Sequence, residues 1–181
     1  MTLRIHLTGA SGSGTTSVGR RLADILCVPH YDTDTFYWEK SLVPFSQPRE
    51  EADRVQMLSM ALRASDSWVL SGSLCGWGDV FAPRFTLVIW LRANNDTRMR
   101  RLHERETDRY GDAILPGGKY EEKHKAFLRW AGGYDVSEDI SRNALKHENW
   151  LSDLSCPVKV VFNDGTLEET VNVILREVER G

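Results

Sequence analysis

The chain has 181 residues, 41% of them hydrophobic and 27% charged, which suits one globular domain with a sizeable core and a small mobile insertion. A formal net charge of −3 gives no general pull toward nucleic acid or an anionic membrane, so any basic site has to be local. The apolar runs are too short to span a bilayer, no signal-peptide region opens the chain, and the widely spaced Cys27, Cys75 and Cys156 make neither a disulfide framework nor a metal knuckle, so a cytoplasmic location is expected.

Leu3 to Thr8 reads as a short apolar strand that runs into the glycine-rich turn Gly9-Ala10-Ser11-Gly12-Ser13-Gly14-Thr15-Thr16. Gly9, Gly14 and Thr16 match the outer positions of the phosphate-binding pattern G-x-x-x-x-G-K-[ST], but Thr15 stands at the lysine position. A phosphate cradle needs inward-facing amides and positive φ, which glycine supplies at low cost. Val18, Leu22, Ile25 and Leu26 then mark a helix from about Thr15, whose positive end faces whatever the turn holds. Thr16 occupies the Mg²⁺-coordinating position, while Thr15 offers one neutral hydrogen bond in place of a full charge. Loss of such a contact costs roughly 10²–10³ in rate by analogy with other preorganised donors, so a substitute cation should exist.

His30 to Asp34 reads as a second strand ending in two carboxylates, Asp32 and Asp34. If strand geometry persists, both face one side: one to orient Mg²⁺ through water, the other to take a proton from, or bind, a substrate hydroxyl. Ordinary turn and helix-cap aspartates remain the alternative. Residues 40 to 49 read as loop, Ala52 to Leu62 as a helix, Trp68 to Ser73 as a third strand and Phe85 to Leu91 as a buried fourth. The segment Ser71 to Asp79 is either a substrate loop carrying Trp77 or a plain connection, and Trp38 is either a site residue or a core anchor.

A helix follows from about Asn95, and Arg92, Arg98, Arg100, Arg101, Arg105 and Arg109 fall in a stretch without lysine. Arg98, Arg101 and Arg105 share a helical face, with Arg109 added if the helix lasts; residues 107 to 119 read as a mobile loop. Together they suggest a closing lid at about residues 100 to 122 that brings cations to a transferring phosphoryl group, against the alternative of a solvated face. Further helices are expected at Tyr120 to Ala131 and, more weakly, Ile140 to Leu151; His124, Arg129 and Arg142 could reach the cleft from them, with a satisfied histidine or a surface arginine as the default. Val158 to Phe162 is the fifth strand, and Thr166 with Glu169 makes a capping box before the last helix. Alternating strands and helices imply a mostly parallel sheet covered on both faces, with ligands at the carboxyl ends of its strands.

Gly9 to Thr16, the Asp32-Thr33-Asp34 pair, Arg101-Leu102-His103-Glu104-Arg105 and Asn163-Asp164-Gly165-Thr166, in this order, resemble the nucleoside and nucleotide kinases among P-loop proteins, the group of adenylate and shikimate kinases. The resemblance implies a three-layer α/β domain over residues 1 to 181, with a five-stranded parallel sheet in the order 2-3-1-4-5 and a helical lid. It also implies ATP with Mg²⁺ as donor, and a small-molecule acceptor held between residues 36 to 79 and the lid. By position, Gly9, Ala10, Ser11, Gly12, Ser13, Gly14, Thr15 and Thr16 would hold the phosphates, Thr16 and Asp34 the metal, and Asp164 and Gly165 the adenine. Asp32, Asp34, Arg101, Arg105 and Arg109 would serve the transfer step. The lid lacks the cysteines of zinc-bearing adenylate kinases, so no structural metal is expected. Thr15 leaves two activities open: a kinase whose lid arginines replace the lysine, or a catalytically weak nucleotide-binding regulatory module. No acidic residue ends the third or fourth strand, which disfavours a motor-type ATPase.

Overall fold

The computed structural model describes residues 2–180. Its strands are β1 (Arg4–Gly9), β2 (His30–Asp32), β3 (Trp68–Ser71), β4 (Leu87–Arg92) and β5 (Val158–Phe162), and all pair in parallel in the expected order β2-β3-β1-β4-β5. β1 lies at the centre, with Ile5 opposite both Val69 and Leu87.

Strand alternation sorts the apolar side chains into two cores. Ile5, Leu7, Val69, Ile89 and Leu91 face α1 (Thr15–Leu26) and α7 (Leu167–Glu179). Trp68, Leu70, Val88 and Trp90 face α3 (Glu51–Arg63) and α6 (Ala144–Ser152). Each fully buried leucine or isoleucine contributes about 1.5–3 kcal/mol, so the two cores fix where the strand ends lie. α7 opens on the expected capping box: Glu169 N–H donates to Thr166 Oγ1 at 3.3 Å, and the Glu169 carboxylate accepts from Thr166 N–H at 2.8 Å.

Several boundaries differ from the sequence expectation. The second strand stops at Asp32, and a five-residue helix, α2 (Thr33–Tyr37), begins at once. Asp32 is the N-cap of that helix, accepting Asp34 N–H at Oδ1 (3.0 Å), so the two aspartates do not share a strand face. The third strand ends at Ser71 because Gly72 turns the chain at φ 112°. The stretch 107–119 is largely structured: α4 (Asn95–Tyr110) runs on through Tyr110 to a stop at Gly111 (φ 53°). A 3₁₀ turn (Gly111–Ile114) anchored by buried Ile114 leads toward α5 (Glu121–Gly132). Ile140 lies outside α6, which starts only where Asn143 caps it. No helix among the described residues is long and apolar enough to cross a membrane.

Candidate functional site

The glycine-rich turn leaves β1 at the carboxyl edge of the sheet and enters α1 through Gly14. Its shape is set by close packing at three glycines. A Cβ on Gly9 would stand 2.6 Å from Ser13 Oγ, one on Gly12 (φ 82°) 2.6 Å from the Arg98 carbonyl oxygen, and one on Gly14 (φ 93°) 2.5 Å from Asn163 Nδ2. Ser13 N–H closes the turn on the Ala10 carbonyl at 3.1 Å, and Val18 N–H bonds the Gly14 carbonyl at 3.0 Å. The amides of Gly12, Gly14, Thr15 and Thr16 find no protein acceptor among the described residues, and they line a cavity of about 1280 Å³. Free amides at a helix N-terminus make an anion seat, and this one is shaped as a cradle that side chains would fill.

Three neighbours hold the cradle from behind. Asn163 Nδ2 donates to the Ser13 carbonyl at 2.8 Å and is itself fixed by Thr170 Oγ1 at 2.8 Å. Arg98, 1% exposed, sends Nη1 to the Ser11 and Ala131 carbonyls (3.4 and 3.1 Å) and Nη2 to Asn95 Oδ1 and Asp135 Oδ2 (3.0 and 2.7 Å). Arg142 Nη2 donates to Ser11 Oγ at 2.9 Å, and its Nε is buried without a partner.

On the other side of the turn, Thr16 Oγ1 donates to Asp32 Oδ2 at 2.7 Å. That hydroxyl therefore keeps its lone pairs for another ligand. The arrangement fits Mg²⁺: Thr16 would hold the ion and Asp32 would orient the Thr16 hydroxyl. Asp34 lines both this cavity and a second one of about 490 Å³. Burial, followed by the nearby Asp32 charge, raises its pKa, while Arg142 and Arg105 work against that shift. The second cavity is walled by Tyr37, Trp77, Tyr110, Tyr120, Phe127 and Trp130, and shares Ser11, Asp34, Ser73 and Arg142 with the first. One carboxylate thus stands where a phosphate seat and an aromatic compartment meet.

The structure separates the arginines that sequence spacing grouped. Arg98 belongs to the buried stripe of α4 with Leu102 and Glu106, so it braces the turn and does not face the cleft. Arg101, Arg105 and Arg109 do line the cavity. Arg105 Nη2 and Arg109 Nη1 both bond Glu106 Oε1 at 3.3 Å, and Arg109 also lies 4.5 Å over the Phe45 ring. Arg101 Nη1, by contrast, is buried and unpartnered, and burial lowers the guanidinium's pKa. Burial lowers the Arg142 pKa too, against the opposing pull of the Asp34 charge; both side chains stay charged and favour an anion beside them.

Gly9, Ala10, Ser11, Gly12, Gly14, Thr15, Thr16, Asp32 and Asp34 all line the first cavity. Ser13 is buried behind it. Asp164 and Gly165 lie outside its lining; Asp164 Oδ1 accepts Asn94 N–H at 2.9 Å, and Gly165 packs on Glu169. Arg142, which the sequence allows to reach the cleft but reads as a surface arginine by default, lines both cavities; the weak pattern from Ile140 to Leu151 does not show which way it faces.

A family model described as "AAA domain" matches residues 5–126. Over 97% of its length, and 97% of the relative's, the chain is 41% identical to YqaC of Bacillus subtilis (strain 168), which carries the description "uncharacterized protein". It is 25% identical to a cytidylate kinase of Pyrobaculum islandicum over 76% of this chain and 78% of that one. Among solved structures, a shikimate kinase from Bacteroides thetaiotaomicron superposes with a TM-score of 0.60 at 20% identity, covering 98% of each chain. A gluconokinase from Sinorhizobium meliloti gives 0.58 at 18%, covering 99% of this chain and 93% of that one. The fold is that of P-loop small-molecule kinases, with Thr15 at the position of the P-loop lysine, and the chain belongs to the AAA-domain family.

Proposed function

We propose that the protein transfers the γ-phosphoryl group of ATP to an oxygen of a small molecule held in the aromatic compartment. The observation that carries this reading is the placement of Asp34, Ser11 and Arg142 on the wall common to both cavities. P-loop kinases use ATP with Mg²⁺, and the free amides of Gly12, Gly14, Thr15 and Thr16 suit a polyphosphate whose terminal group reaches that wall.

In this mechanism the acceptor oxygen attacks the γ-phosphorus in line, the bond to the β,γ-bridging oxygen breaks, and ADP leaves. Asp34 receives the proton of an attacking hydroxyl, a task suited to a carboxylate whose pKa is raised. Thr16, oriented by Asp32, would hold Mg²⁺, which would supply positive charge against the phosphates. Arg142 and Arg101, neither engaged with a carboxylate among the described residues, supply the fixed positive charge that a P-loop lysine would give, and Thr15 adds a neutral hydrogen bond. Arg105 and Arg109 meet the acceptor side of the cleft after parting from Glu106. The wide aromatic wall excludes water from the transfer point.

The test is ADP formation by the purified protein over a panel of nucleotides, nucleosides, sugars and sugar acids. Arg142→Gln should lower the rate with the best acceptor by roughly 10²–10³. Thr15→Lys should keep or raise ATP affinity and restore part of the rate in the Arg142→Gln background. Unchanged transfer in Arg142→Gln would refute the substitution of guanidinium for lysine. Thr15 and the Glu106 pairing of two lid arginines favour a second reading, a nucleotide-binding regulatory module. Tight ATP binding with no product from any acceptor would select it.

A further inference from the structure

Four side chains from separate parts of the fold form a hydrogen-bonded line behind the transfer point. Trp90 Nε1 meets Tyr134 Oη at 3.3 Å, Tyr134 Oη meets His147 Nδ1 at 2.7 Å, and His147 Nε2 meets Ser73 Oγ at 3.2 Å. Trp90, Tyr134 and His147 are buried, at 7%, 5% and 0% exposure, whereas Ser73 opens onto both cavities.

Elementary hydrogen-bond chemistry gives this line a direction. An indole N–H only donates, so Tyr134 oxygen accepts from Trp90. The Tyr134 proton has one acceptor among the described residues, His147 Nδ1. The opposite sense would leave that phenol proton buried and unbonded, at a cost of about tenfold or more in the equilibrium. With Nδ1 accepting, the neutral ring carries its proton on Nε2 and donates it to Ser73 Oγ. The ring stays neutral because burial and the Arg142 charge push its pKa down to about 3. Ser73 has then accepted from His147, and its own proton is left to point elsewhere. The neighbouring Cys75 thiol, whose pKa Ser73 lowers against the rise from burial, is a weak acceptor that a ligand oxygen displaces.

We propose that Ser73 is a specificity-determining residue of the transfer site, held as a donor by the Trp90–Tyr134–His147 line, so that with Arg142 beside it the acceptor must present an anionic oxygen, carboxylate or phosphate. This rests on the phosphoryl-transfer reading for its location, and the line itself can be tested apart from turnover. Tyr134 and His147 are positioning residues that act through Ser73. An ammonium group at this point faces the Arg142 charge and cannot take the Ser73 proton, so it is disfavoured.

The experiment has two arms on the full chain. In protein labelled with ¹⁵N-histidine, His147 should be neutral with its proton on Nε2 from pH 5 to 8, and Tyr134→Phe should admit the Nδ1–H form. A proton on Nδ1 in the wild type, or a doubly protonated ring, overturns the direction of the line. In the second arm, CMP and gluconate are titrated as phosphate and carboxylate probes beside uncharged cytidine and glucose, with a non-hydrolysable ATP analogue present. One anion should bind more tightly than its uncharged counterpart, and Ser73→Ala should weaken it about tenfold while leaving affinity for the ATP analogue unchanged. Equal binding by Ser73→Ala, or failure of both anions to bind the wild type, overturns the proposal. A bound anion that yields no ADP when ATP is supplied counts against the kinase reading alone and leaves the Ser73 assignment standing.

Discussion

Thr16 and Asp32, sixteen residues apart, are joined by a 2.7 Å hydrogen bond in which the hydroxyl donates. The same carboxylate caps α2 through its other oxygen, so one aspartate ties the phosphate loop to the second strand's end. Asp32→Ala would free the Thr16 hydroxyl to rotate. The Mg²⁺ concentration giving half-maximal ATP binding should rise 10–100-fold, as for other outer partners of metal ligands. Loss of the cap should cost about 1 kcal/mol as well, read by thermal unfolding. An unchanged Mg²⁺ requirement would limit Asp32 to capping.

Asp34 has a pKa raised first by burial and then by Asp32. A base works deprotonated, so kcat/KM should rise with pH through that value, and the acid limb should lie above the usual carboxylate range. Asp32→Asn removes a neighbouring negative charge and should move the limb to lower pH. Arg142→Gln removes the largest opposing charge and should move it to higher pH. Asp34→Asn should lower kcat by about 10²–10⁴. A limb that stays put in both charge variants would assign the ionisation to another group.

The sheet was legible because β1, β4 and β5 are apolar runs bounded by turn residues, and because α1 and α7 repeat their buried positions along one stripe. α2 was not, since five residues are too few to display a period, and Asp32 reads equally well as a strand end or a cap. Arg98 and Arg101 look equivalent by spacing, yet three residues turn a helix by about 300°, enough to put one guanidinium inside and leave the next at the cleft. Arg142 and His147 reach the site from a segment whose helical pattern is weak. Only tertiary packing against Ser11, Tyr134 and Ser73 assigns their direction.

Arg98 shows what that burial means for stability. Its guanidinium bonds two carbonyls, Asn95 and Asp135 from a position 1% exposed, while Asp135 remains partly open to solvent. Arg98→Met would strand those acceptors and release the Ser11 carbonyl. Allowing for solvent screening of Asp135, the cost should be about 2–4 kcal/mol, a Tm lower by about 5–15 °C. ATP affinity should fall with it, because the turn that presents the amides loses its brace.

Two buried histidines should govern stability below neutrality. His6, stacked on Phe85 at 5.0 Å and contacting the Leu70 carbonyl through Nδ1 at 3.1 Å, has its pKa pushed down to about 4 by burial; His147 is pushed down to about 3. An unfolded histidine binds its proton near pH 6.5, so below that value the unfolded chain gains protons that the native rings refuse. Their contribution is whole above pH 6.5 and is lost as pH falls toward 4 for His6 and 3 for His147. At pH 5 the loss is on the order of 2 kcal/mol per ring. The raised Asp34 opposes this trend, whereas Glu121, Glu169 and Glu177, with lowered values, matter only at lower pH. Urea unfolding at pH 7.5 and 5 should therefore show a clear drop, and His6→Phe, which removes one titrating ring, should shrink it. Equal stability at both pH values would mean that these rings already carry protons in the native state, which would also reverse the donor sense assigned to His147.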